Sequence, residues 1–247
     1  MLKKLLVTTI LCSGLALSGC QTTGSASPKM AYKETRSGIN GALETAAKAA
    51  QDQGAQKESL LFYEELYRRN PGDAKAVVQY AEALRHNNQS KKAEIILEPW
   101  AAKDQNAALE YARVLLSLGR LYEAETAVDG VLAKDSQNAQ AHHIKGIALD
   151  AKGLSAEAEV HFRKALDTWQ GSPVAVLNNL ALNLAAQHKK GEAIAMLDRA
   201  MIYAPNESYL MKNRNLILGL SGGSAPVAAQ KAEIETTPAP VQKPQKS

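Results

Sequence analysis

From about residue 40 to residue 220, apolar residues recur at three- and four-residue steps, and polar or glycine positions break the pattern at a steady beat. The stretch "LETAAKAAQDQGAQKESLLFYEELYRRNPGD" shows one beat: an amphipathic run, a turn at Gly54, a second run, and a stop at Pro71-Gly72. Steps of three and four predict helices, whereas strands would alternate. Counted from Asn40, comparable units start near Ala74, Gln105, Ala139 and Val174, at offsets of 34, 31, 34 and 35 residues. Each unit predicts two helices. The first helix places a small residue at one position: Ala47, Ala81, Ala112, Gly146 and Ala181. The turns fall at Gly54, Asn88, Gly119, Gly153 and His188. The second helix has an early small residue: Ser59, Ala93, Ala124, Ala158 and Ala193. A larger residue follows four positions on: Tyr63, Leu97, Val128, Phe162 and Leu197. Small against large lets helices approach closely and interdigitate.

Two units depart from the pattern. The second is three residues short and has Pro99 inside its second helix, where the missing N–H predicts a kink. The fourth has Lys145 where an apolar residue is usual. "SYLMKNRNLILGL", residues 208–220, starts 34 residues after the fifth unit and predicts a lone first helix closing the stack. Composition agrees with helices: aromatics are 5% of the chain, too few for a sandwich or barrel. The formal net charge of +4 gives no basis for a nucleic-acid binder.

A period near 34 with two helices per unit resembles the tetratricopeptide repeat. Pro71 and Pro205 end two units where that family expects proline. The resemblance implies an all-α, right-handed tetratricopeptide-repeat solenoid over residues 40–220, with about five helix-turn-helix units and a C-terminal capping helix. It also implies a concave groove lined by the first helices. Lys75, Glu82 and Arg85 would face inward from the second unit, and Leu109, Arg113 and Leu116 from the third. His143, Ile147 and Asp150 would come from the fourth, Asn178 and Leu182 from the fifth, and Lys212 from the cap. Apolar anchors flanked by charges suit a bound peptide. The lysine-and-asparagine carboxylate clamp of chaperone-binding members is not reproduced as a set.

The N-terminus carries a different signal. "MLKK" is a positive n-region, and "LLVTTILCSGLAL" is an apolar run of 13 residues, signal-peptide length and too short to span a bilayer. Leu17-Ser18-Gly19-Cys20 resembles the lipobox of bacterial lipoproteins. That resemblance implies cleavage before Cys20, lipid on its sulfur and an acylated amino group. Gln21 follows, not Asp, which implies the outer membrane. Cys12 leaves with residues 1–19, so the mature chain has one cysteine and no internal disulfide. Residues 20–39 read as lipidated cysteine and spacer. Residues 221–247 hold four of the nine prolines and few bulky apolar residues, so they read as a disordered tail.

Catalytic motifs are missing: no phosphate loop, dinucleotide glycine motif, nucleophile elbow or zinc spacing occurs. His142 and His143 are adjacent, so on a helix they point about 100° apart and do not share a metal easily. The expectation is a non-enzyme with no metal and no cofactor beyond the lipid on Cys20. "SPVAVLNNLALNLAAQHKKGEAIAMLDRAM" and "NRNLILGLSG" are similar to the Tad/Flp pilus assembly lipoproteins (TadD), a resemblance covering roughly residues 75–222. It implies a membrane-anchored assembly factor that binds a pilus or secretion component such as a secretin. It implies neither a nucleic-acid partner nor a small-molecule substrate. The alternative reading is an adaptor that recruits a cell-wall hydrolase or serves outer-membrane protein assembly.

Overall fold

The computed structural model describes residues 28–220, with side chains from Ser37 onward. The expected signal peptide, Cys20 and residues 221–247, expected as a tail, lie outside the described residues. The chain divides into two compact units, Met1–Ile39 and Asn40–Ser247. The described part of the first is the opening of helix α1 (Pro28–Asp52). The spacer expected through residue 39 therefore gives way to helix at Pro28. Proline is favoured at the first helical position. No further proline interrupts the run to Asp52, which is rich in helix-forming Ala, Lys and Glu.

All regular structure among the described residues is helical. After α1 come α2 (Gln56–Arg69), α3 (Ala74–His86), α4 (Ser90–Ala101), α5 (Gln105–Ser117) and α6 (Leu121–Leu132). Then follow α7 (Ala139–Ala151), α8 (Ser155–Thr168), α9 (Val174–Ala186), α10 (Lys190–Tyr203) and α11 (Ser208–Gly219). Helices α3, α5, α7, α9 and α11 begin at the residues where the repeat restarts. Asp73, Asp104 and Asn138 cap the first three by accepting from Lys75 N, Ala107 N and Ala141 N.

The turns repeat as closely as the helices. Gly54, Asn88, Gly119, Gly153 and His188 all have positive φ, between 59° and 79°. The next residue then returns its N–H to a carbonyl five residues back, as in Arg120 N to Leu115 O (2.9 Å) and Lys189 N to Leu184 O (2.9 Å). This closure satisfies the last carbonyls of the first helix and reverses the chain.

The small and large positions of every unit are buried. Gly146 shows how tight the fit is. A Cβ there would lie 2.6 Å from Phe162 Cε1, so the bulkiest ring among the large positions of the later units faces the one glycine. Pro99 does not end α4, which continues to Ala101. Lys145 sits at an apolar position because its amine reaches Asp129 of the preceding unit at 2.6 Å. At the far end, α11 buries Leu210 and Ile217 and leaves Met211, Leu216 and Leu218 exposed. Lys190 Nζ donates to the carbonyls of Leu218 (2.6 Å) and Leu220 (2.9 Å), closing the C-terminus of α11.

The first helices of neighbouring units touch one another: α3 with α5, α5 with α7, α7 with α9, and α9 with α11. The second helices make no comparable contacts among the described residues. The first helices therefore form the inside of the curve, and their outward-pointing side chains make up its concave face.

Candidate functional site

Along the concave face the ninth residue of successive units reads Lys48, Glu82, Arg113, Ile147, Leu182 and, in the cap, Leu216. The face changes character halfway. Its N-terminal half is charged, and the charges are spent on one another. Glu44 accepts from Lys75 Nζ (3.0 Å) and Gln79 Nε2 (3.2 Å), and Lys75 holds its carboxyl below the usual value. Burial opposes ionisation of Glu82, but His86 and Arg85 outweigh it and lower its pKa. Arg85 Nε donates to Glu110 Oε1 at 2.6 Å, with both side chains buried. Glu110 also takes Arg113 Nη1 (3.3 Å), and Arg113 Nη2 reaches Gln140 at 2.8 Å. Through Arg113, this buried carboxylate belongs to a network that links three consecutive first helices, α3, α5 and α7.

The C-terminal half is held mainly by amide and imidazole groups, with the Asp150 carboxylate as an acceptor in place of a cation–carboxylate network. Asn179 Nδ2 donates to His143 Nε2 at 2.9 Å. The His143 ring packs against Phe162 and edge-on against Trp169. Burial, with help from Arg113, pushes the His143 pKa down to about 3, so the ring stays neutral. Asn183 is fully buried and donates to Asp150 (2.6 Å) and to the Ser155 carbonyl (3.0 Å). Asn213 donates to Asn178 at 2.8 Å. Between these amide pairs, Ile147 and Leu182 are half-buried against the core, and Leu216 is 51% exposed. Lys212 is exposed, and no described residue pairs with it.

These positions correct part of the expected groove. Leu109 and Leu116 are core residues, buried in one cluster with Ile144 and Ala148 of the next first helix, and offer a partner little surface. Arg85 is buried with Glu110 and is likewise out of reach. Lys75, Glu82, Arg113, His143, Asp150 and Asn178 line the face but bond to neighbours within the chain. Ile147, Leu182 and Lys212 remain without polar commitments. Sequence reading missed Glu110, Asn179 and Asn213, each the sixth residue of its unit, one place beyond the positions considered. Leu216 was missed too, although it follows Ile147 and Leu182 in the ninth place.

Elsewhere, an open hollow of about 340 Å³ lies where α4, α5 and α6 meet, at the shortened unit, lined mainly by Ala101, Ala108, Tyr111 and Ala127. Among the described residues no group of three or more His, Cys, Asp or Glu could hold a metal ion. None of the described helices is long and apolar enough to cross a membrane.

Residues 52–131 match the model of the family described as anaphase-promoting complex, cyclosome, subunit 3. No curated protein matches the sequence. Among solved structures, the chain is similar to a thermophilic TPR protein of Thermus thermophilus, with TM-score 0.67 and 17% identity over 73% of this chain and 100% of the other. It is also similar to the APC/C hetero-tetramer Cut9–Hcn1, with TM-score 0.60 and 15% identity over 77% of this chain and 42% of the other. The fold is a right-handed tetratricopeptide-repeat solenoid.

Proposed function

We propose that the chain is a protein-binding scaffold whose concave face holds an extended segment of a partner, with a lipid on Cys20 fixing it to the periplasmic face of the outer membrane. Tetratricopeptide stacks are in general interaction scaffolds without catalytic groups, which supports the first part. The observation that carries the binding is the run Ile147, Leu182 and Leu216, apolar side chains left in reach on an inner face otherwise occupied by internal hydrogen bonds. Apolar anchors with a polar rim are what an extended peptide needs. On the sequence resemblance, the partner is a component of a Tad/Flp-type pilus or secretion machine, its secretin first. Tethering at Cys20 raises local concentration, so modest groove affinity suffices.

The test is recovery of partners after in-cell crosslinking, using the full chain and a Lys212→Glu, Leu216→Ser variant. Recovery of a secretin or another pilus component, lost in the variant, is the expected result. Recovery of a wall hydrolase or barrel-assembly protein instead overturns the pilus assignment. A partner retained equally by the variant overturns the groove. Arg113 is unsuited to this test, because it holds Glu110 and Gln140 and its loss loosens the stack. Cys20→Ala is expected to move the protein from the membrane to the soluble fraction.

A further inference from the structure

The apolar end of the concave face has a candidate occupant in the same chain. We infer that the segment around Ile234, residues 231–237, is the occupant of the apolar surface at Leu182 and Leu216, with its carboxylates paired to Lys212. This inference rests on reading the concave face as a peptide groove.

Three observations lead there. The first is the position of the free surface. The ninth-residue positions are charged in the N-terminal half, at Lys48, Glu82 and Arg113. They turn apolar at Ile147, Leu182 and Leu216, and the last is 51% exposed. The second is charge. Lys75, Arg113, Lys145, Lys152 and Lys189 each have an acidic partner in the described structure. Among the described residues Lys212 has none, and it lies one helical turn before Leu216 on α11, so the two share a face. An apolar residue with an adjacent carboxylate fits that pair.

The third is the chain that follows. Residues 221–247 continue directly from the end of α11. Glu233 and Glu235 are their only acidic residues, and both flank Ile234, their only Ile, Leu, Met or aromatic residue. Ile234 lies fourteen residues past Leu220, and an extended chain of that length reaches up to about 46 Å. Helix α11, at 12 residues, is only about 18 Å long. The segment therefore reaches every point on this half of the face. A tether of such length gives an effective concentration on the order of millimolar, so a weak contact is populated.

The test uses a fluorescent synthetic peptide of residues 229–238 and three full-length proteins: wild type, Ile234→Asp and Lys212→Glu. The expected result is that Ile234→Asp binds the peptide about tenfold more tightly than wild type, because its own segment no longer competes, and that Lys212→Glu loses binding. Equal affinity for wild type and Ile234→Asp, or no binding to any of the three, overturns the inference. A photo-crosslinker at position 216 of the full chain distinguishes this failure from failure of the groove itself. Crosslinks to residues 229–238 of the same chain support the inference. Crosslinks only to another protein overturn it and leave the groove reading standing. Crosslinks only to a second copy of the chain overturn both.

Discussion

The two halves of the concave face use the same helix positions for opposite purposes. In α3 and α5 the inward side chains are ionised and hold the units together, through Arg85–Glu110–Arg113 and Lys75–Glu44. In α7, α9 and α11 the joins are made by asparagine amides, to an imidazole, a carboxylate and another amide, and the ninth residues are released to form an apolar floor. A residue that bonds the neighbouring unit is not available to a ligand. The half that looks richer in recognition groups is therefore the half less able to recognise anything. The outer edge repeats the joining device in the middle of the stack. Glu94, Glu125 and Glu159 each take a cation from the next unit, namely Arg120, Lys152 and Lys189. The corresponding residues of the first and fifth units are Leu60 and Ile194.

The sharpest way to break the comparison is to remove one join from each half. Glu110→Leu leaves the buried Arg85 guanidinium without its main partner, and breaking a buried ion pair costs roughly 3–4 kcal/mol. Asn178→Ala removes one neutral hydrogen bond at a half-exposed site, which costs about 0.5–1 kcal/mol. Urea denaturation of the two variants measures both. Equal losses would mean that the N-terminal network does not hold the units together.

Acid separates the halves next. His142 Nε2 faces the Ser136 carbonyl, so it donates there, and its Nδ1 accepts from His161 Nδ1 at 2.9 Å. Burial and the lysines at 145 and 164 lower both histidines, His161 to about 4. His143 is at about 3. The unfolded chain takes these protons near pH 6.5, before the folded chain does, so this stability is whole above pH 6.5 and falls as the pH drops towards 4. Glu44 and Glu82 have lowered values, and their contribution is lost only below pH 4.5. At pH 5 the fold is expected to be about 2–3 kcal/mol weaker than at pH 7. Hydrogen exchange should show α7 and α8 losing protection while α3 and α5 keep theirs. The reverse order would invert the comparison.

The core should be less forgiving where glycine faces a ring. Gly146→Ala gains about 1 kcal/mol of helix propensity but drives a methyl into Phe162, and overpacking costs about 1–3 kcal/mol. A net loss of about 1 kcal/mol is expected in thermal melts. Phe162→Leu in the same chain should recover it, because Leu97 and Leu197 hold the equivalent position in units whose small residue is Ala81 or Ala181, each pair buried in one cluster. A double variant no better than the single would locate the strain elsewhere.

Most of the frame is legible in the sequence, and the site much less so. The starts of α3, α5, α7, α9 and α11, the positive-φ turns and the small-against-large positions all follow from a period in one chain. Those features repeat because every unit must bury the same face. The groove does not repeat. Leu109 and Ile147 both look like inward apolar residues, yet one is buried in the core while the other keeps part of its surface. Glu110 reads as a solvated carboxylate until α3 brings Arg85 to it. Such pairings depend on how consecutive units register in space, which a period in one dimension does not encode. Pro28 was readable as a helix start, but the small polar residues around it read as a spacer.

The smallest effect compares the two turns that lack glycine, one in each half. Asn88 has φ 59° and His188 has φ 63°. Asparagine tolerates this region because its short side chain bonds locally; histidine is also found there but is bulkier and gains less from local bonding. His188→Gly is expected to stabilise the fold by about 0.5–1 kcal/mol, and Asn88→Gly by close to nothing, since glycine also loses more entropy on folding. Neither residue is among the side chains that line the concave face, so peptide affinity should stay fixed while the melting temperature rises only for His188→Gly. Equal gains at both turns would show that backbone strain, and not the side chain bearing it, sets the stability of these reversals.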